Sequence, residues 1–253
     1  MSAAAADALP DDAFAAIRGV EGWLTDAQAT RLWRAARAVP VTGQIVEIGS
    51  FRGRSAIVLA RAAAPGVAIT AIDPHLGSDR GPREYAPDRH LGEADRRAFL
   101  ANLEAAGVLD RVRHVRRLSA DALGDVEGPV TLLFVDGAHR YAPALDDLRG
   151  WGARVPVGGR MLVHDAYSSV GVTLALLRAV VGRRAWRYVG RSGSLAEYAR
   201  VADQPRAARA REAVRAAAQL PWFARNLVVK ALILARLRPL ARALGHRHGP
   251  WPY

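Results

Sequence analysis

At 253 residues and 51% hydrophobic composition, the chain can bury one substantial core with a small appendage. The absence of cysteine excludes disulfides, zinc–thiolate centres and cysteine nucleophiles. The formal net charge of +12 is uneven: from residue 201 onward ten Lys/Arg stand against only Asp203 and Glu212, so the first 200 residues are mildly basic and do not suggest a nucleic-acid enzyme.

Residues 1–39 are expected to form a helical cover, with one or two amphipathic helices over 10–39 that bury Leu24, Leu32 and Trp33 and start from a Thr25-Asp26 cap. No basic stretch followed by an apolar run opens the chain, so a cytoplasmic protein is the default. From residue 40 to 200 strand-like and helical runs alternate: strands at 44–48, 68–72, 112–116, 131–135 and 160–163, and helices at 55–64, 93–106, 142–151 and 171–181. That alternation implies an α/β, doubly wound parallel sheet with helices on both faces. Residues 186–190 and 194–198 then read as a terminal hairpin, which places an antiparallel strand last.

The first chemical signal is the run Ile45 to Ser55, an apolar strand entering a glycine-broken turn and then a helix, with Asp73 ending the next strand. Phe51 occupies the central glycine position of a dinucleotide fingerprint, and the Lys and Ser/Thr of a P-loop are missing. The turn therefore offers no close phosphate cradle, and a cofactor without phosphates fits better. At this point the chain resembles the class I S-adenosylmethionine (SAM) dependent methyltransferases. Residues 75–92 carry no periodicity and read as a lid past the second strand.

Two further strands end in ionisable groups. Leu132 to Val135 delivers Asp136, His139 and Tyr141, and Arg160 to Val163 delivers His164 and Asp165. Three buried strands ending in acids on one edge are a costly arrangement to keep without a use. The D-G-x-H-x-Y and G-G-x-x-x-x-H-D runs resemble a small-molecule O-methyltransferase branch related to the macrocin and mycinamicin sugar methyltransferases.

That resemblance implies that Glu47, Gly49, Ser50, Gly53 and Ser55 surround the methionine end of SAM, that Asp73 takes the ribose hydroxyls, and that Ser119 and Asp121 approach the adenine, with Asp136 facing the same crevice. His139 is the first candidate for the base that removes the acceptor proton, since imidazole titrates near neutrality and follows Asp136 by three residues. His164 is the second. Asp136 and Asp165 are also candidate ligands for Mg2+, although Ala166 stands where related enzymes carry a further Asp or Asn.

Residues 201–253 read as a basic helical extension. Its apolar stretch over 221–244 is interrupted by Lys230, kinked at Pro239 and too short to span a bilayer. Packing on its own domain, a homodimer contact and peripheral contact with the inner membrane face are the alternatives. The expected activity is O-methylation of a small-molecule, sugar or glycolipid hydroxyl. The competing possibilities are a nucleic-acid-binding or RNA-modifying protein using the basic tail, and an NAD-linked oxidoreductase.

Overall fold

The computed structural model describes residues 10–78 and 86–246. Two short helices open it, α1 (Asp11–Arg18) and α2 (Asp26–Arg37). Thr25 caps α2 by a reciprocal box in which its hydroxyl accepts from Gln28 N and the Gln28 side chain accepts from Thr25 N. Then follow β1 (Gln44–Ile48), α3 (Arg54–Ala62), β2 (Ala68–Ile72), α4 (Arg89–Ala105), β3 (Arg113–Val115), β4 (Leu132–Val135), α5 (Tyr141–Ala153), β5 (Arg160–Val163), α6 (Val170–Ala179), and the hairpin β6 (Trp186–Ser192) and β7 (Leu195–Arg200).

The strand order is β3-β2-β1-β4-β5-β7-β6. Strands β1 to β5 pair in parallel, while β7 runs antiparallel to both β5 and β6. This is a Rossmann-like, doubly wound sheet, with the reversal in chain order between β1 and β4 that opens a crevice at the carboxyl ends of the strands. One face is covered by α1, α2, α3 and α4, which bury Ile17, Leu32, Ile57, Leu59, Phe99 and Leu103. The other is covered by α5 and α6, with Leu148, Trp151 and Leu176 at its centre. Each helix thus spends its apolar stripe on the sheet, and the loops at the strand ends are left for chemistry.

Two boundaries differ from the sequence expectation for identifiable reasons. Helix α4 starts at Arg89 rather than 93, because Asp88 accepts a hydrogen bond from Leu91 N at 3.0 Å and so opens the helix a turn earlier. Of the expected lid, residues 79–85 lie outside the described residues. The extension forms three helices, α7 (Arg206–Ala217), α8 (Leu220–Leu234) and α9 (Arg238–Ala243). Pro239 does not kink a continuous helix: the break comes earlier, at Arg236 in a left-handed conformation, and Pro239 sits in the first turn of α9, where its missing N–H costs nothing. Among the described residues, no helix is long and apolar enough to cross a membrane.

Candidate active site

Strand β1 ends at Gly49, whose φ is +82°. A Cβ there would lie 2.1 Å from the Asp136 carbonyl oxygen, so only glycine lets the ends of β1 and β4 approach this closely. The turn that follows is held by Asp73. Its Oδ2 accepts from the backbone N–H of Ser50 (2.9 Å) and Phe51 (2.8 Å), and its Oδ1 accepts from His75 N (2.7 Å). Both Phe51 and His75 are in the left-handed region, and His75 Nε2 lies 2.9 Å from the Phe51 carbonyl. A single carboxylate thereby fixes two strained positions at once.

This edge borders a cavity of about 530 Å3, within the range of small-molecule sites. Gly49, Ser50, Ser55, Asp73, Ser119, Asp136 and His139 all line it. Glu47, Gly53, Asp121, His164 and Asp165 do not. Glu47 is fully buried behind the wall, and burial outweighs the nearby Ser55 and Ser50 hydroxyls and pushes its pKa up to about 8. Gly53 faces α4 instead, where a Cβ would meet Leu103 Cδ1 at 2.7 Å, so its task is helix packing at the start of α3. Asp121 is exposed and does not line the cavity, although Ser119 and Ala120 beside it do.

The wall also includes residues that sequence patterns did not single out. Asp147 on α5 accepts a hydrogen bond from the Ser119 hydroxyl, and burial raises its pKa to about 6. The loop Glu21 to Leu24, between α1 and α2, closes one side, with the Trp23 ring 5.0 Å from that of Phe51. Arg54, at the start of α3, lines the same side and is tied to it by donating to the Val20 carbonyl at 2.9 Å.

At the other end stand two imidazoles and two carboxylates. His139 Nε2 lies 3.1 Å from Asp165 Oδ2 and 3.9 Å from Asp136 Oδ1, while His164 Nδ1 lies 3.1 Å from Asp136 Oδ1. Burial disfavours charge on His164, but the adjacent Asp136 carboxylate outweighs it and holds the imidazole up at about 9. Asp136 answers in kind: burial alone would raise it, yet His164 and His139 bring it to about 2. His164 is buried and off the wall, with Asp136 favouring its charged form, so it is not placed to meet an acceptor hydroxyl. His139 is on the wall with 41% of its side chain exposed, and its pKa is also raised, burial being overcome by Asp165 and Asp136.

The same pairing bears on a metal ion. Each carboxylate already faces an imidazole, and among the described residues no group of three or more His, Asp or Glu is arranged to hold a cation. The residues do not fit Mg2+, and no step below passes through one.

Residues 46–166 match the family model described as a methyltransferase domain. Among solved structures, the chain is similar to cofactor-bound Rv0187 from MTB (20% identity over 76% of this chain and 88% of that one, TM-score 0.55). It is similar to TomG from Streptomyces achromogenes, an O-methyltransferase involved in tomaymycin synthesis and solved with SAM (18%, 77% and 91%, TM-score 0.54). An O-methyltransferase from Bacillus cereus in complex with SAH, the demethylated product of SAM, is a further likeness (17%, 76% and 87%, TM-score 0.54). At these identities the structural likeness is one of fold.

Proposed function

We propose that this SAM-dependent methyltransferase transfers its methyl group to a hydroxyl oxygen of a small-molecule acceptor, with His139 as the base. The observation that carries this is the placement of His139: on the cavity wall, with Nε2 3.1 Å from Asp165 Oδ2. The Asp165 and Asp136 carboxylates favour positive charge on the ring, so His139 can hold a proton taken from an acceptor hydroxyl. When bound, SAM supplies a methyl group on a sulfonium, ready for in-line displacement. The protein's part is to align the acceptor oxygen and take its proton as the O–CH3 bond forms and the S–CH3 bond breaks, leaving a neutral thioether and a protonated His139. Asp165 and Asp136 then stabilise the imidazolium until it returns the proton to solvent.

The cofactor half rests on the opposite end of the cavity. The 530 Å3 space lies beside Gly49 and is lined by Ser50 and Ser55. Asp73 has one acceptor site left on Oδ1 beyond those given to the turn, and this is offered to the ribose hydroxyls. Ser119 with Asp147, rather than Asp121, forms the polar pair assigned to the base. His164 serves as the fixed counter-charge of Asp136. In this assignment residues 40–200 are the catalytic unit, 1–39 shape the acceptor side through Trp23, and 201–253 are an added extension.

The test compares His139→Ala and His139→Gln with the parent for methyl transfer to a hydroxyl acceptor library and for SAH binding by calorimetry. Turnover is expected to fall by about 10^2 to 10^4 with SAH affinity unchanged. Retained turnover in both variants would remove His139 from the chemistry. Parallel loss of SAH binding would make it part of the cofactor site instead.

A further inference from the structure

Helix α8 buries Val229 and rests Trp222 and Phe223 on the core, yet it leaves a second apolar face uncovered. Asn226 and Lys230, its central polar residues, turn inward: Asn226 is fully buried and donates through Nδ2 to the Tyr167 carbonyl at 3.2 Å, and Lys230 Nζ donates to the Ser168 carbonyl at 2.9 Å. Its outward face is built from Leu220, Ala224, Leu227, Val228, Ala231 and Leu234, spaced three or four apart and all exposed. Val228 is 50% and Leu234 63% exposed, and Leu237, Leu240 and Leu244 continue the apolar surface through α9. An ordinary surface helix shows water the opposite composition.

The charge around this face is of one sign. No acidic residue follows Glu212 in the sequence, and Arg236, Arg238 and Arg242 are exposed alongside the leucines. We infer that the outward face of α8 and α9 docks on an anionic lipid surface, with the leucines entering the headgroup boundary and the arginines meeting lipid phosphates. With 15 residues, α8 lies in the surface and does not cross it. A second copy of the chain fits less well, because a two-fold contact would bring these arginines together with no acid in the stretch to pair them. Nucleic acid would satisfy the arginines and leave the leucines in water.

Flotation of the full chain with vesicles tests this, using phosphatidylcholine alone and an equal mixture of phosphatidylcholine and phosphatidylglycerol. Binding is expected only to the anionic vesicles and to weaken with salt. Arg236→Gln/Arg238→Gln/Arg242→Gln should lower the partition on the order of a hundredfold, since each cation near such a surface contributes about fivefold. Leu227→Glu/Leu234→Glu should abolish it at every salt concentration. These sites are exposed, so SAH affinity and thermal unfolding, measured on the same samples, should match the parent. Flotation unchanged in both variants, or no flotation of the parent with anionic vesicles, would overturn the assignment. So would a lipid-free dimer that Leu227→Glu/Leu234→Glu dissociates, or a preference for duplex nucleic acid over the vesicles.

Discussion

The carboxylates at the carboxyl edge of the sheet fall into two regions that handle buried charge in opposite ways. Beneath the glycine turn, Glu47 is fully enclosed with only the Ser55 and Ser50 hydroxyls near it and no cation, and burial raises its pKa to about 8. One strand away, Asp136 sits against two imidazoles and is held at about 2 in spite of burial. Burial depth does not decide the outcome; the presence of a cation within about 4 Å does. In the first region Glu47 has no cation against it, whereas the turn's Asp73 presents a carboxylate to the cavity. The second holds paired charge in advance and suits the handling of a proton.

The largest test of this division falls on Asp73, which holds the first region's turn. Asp73→Ala strips the acceptor from three backbone N–H groups, at Ser50, Phe51 and His75. Unsatisfied donors of this kind cost about 1 to 3 kcal/mol each. SAH affinity by calorimetry should fall by at least about a hundredfold, and Asp73→Asn, which retains one oxygen, should lie between the variant and the parent. An Asp73→Ala protein that binds SAH like the parent would place the cofactor elsewhere.

In the second region, the pH dependence of turnover should rise with pH along a limb set by His139, above the ordinary imidazole value because Asp165 and Asp136 favour the charged ring. Asp165→Asn removes the closer carboxylate, so the limb should move to lower pH as turnover falls. An unmoved limb would break the assignment of His139 as the titrating base.

Stability separates the regions by pH window. Glu47 is an acid with a raised folded pKa, so the folded state holds a proton that the unfolded chain has released between pH 4.5 and about 8, and stability falls as pH rises through that window. Glu47→Gln should remove that slope and stabilise the protein by about 1 to 3 kcal/mol at pH 7 in denaturant titrations. His164 has the same slope, since its raised pKa gives stability that is full below 6.5 and lost as pH climbs towards about 9, while Asp136 runs the opposite way, contributing above 3.8 and losing its contribution towards about 2. Asp136→Asn should therefore destabilise most between pH 4 and 6.5 and little above 9. A flat difference across that range would mean the pair is not charged.

How much of this could be read from the chain follows the range of the interactions. The sheet order's crevice, Asp73, Asp136, His139 and the terminal hairpin were legible because apolar runs of strand length end in glycine or an acid, a local pattern. Asp147 was not, since an acid on a helix with Asp146 beside it looks like a solvated face until α5 docks against Ser119. Trp23 reads as part of an amphipathic helix, but the loop between α1 and α2 delivers it to the cavity wall. Glu47 and Gly53 stand correctly within the glycine turn, yet only the packing of α4 and the enclosure of β1 turn them away from the cavity. The uncovered apolar face of α8 has no signature in hydropathy, because what draws Asn226 and Lys230 inward is a pair of carbonyl groups about sixty residues away in sequence.

Those carbonyls connect the extension to the second region, and Lys230 gives the smallest and most specific prediction. The turn after β5 holds Asp165 and Tyr167 in the left-handed region, at φ of 54° and 57°, a strained path for residues with side chains. Asn226 and Lys230 donate to the carbonyls of Tyr167 and Ser168, so α8 braces the segment that sets Asp165 against His139. Lys230→Met keeps most of the stem and removes the donor, leaving the Ser168 carbonyl short of a partner. The expected result is a two- to fivefold lower kcat, about 1 kcal/mol of misplacement, with SAH affinity unchanged. A brace acting through Asp165 should also draw the acidic limb of the pH profile towards that of Asp165→Asn, and Lys230→Arg should restore part of both. Loss of thermal stability with an unmoved profile would confine Lys230 to holding the extension in place.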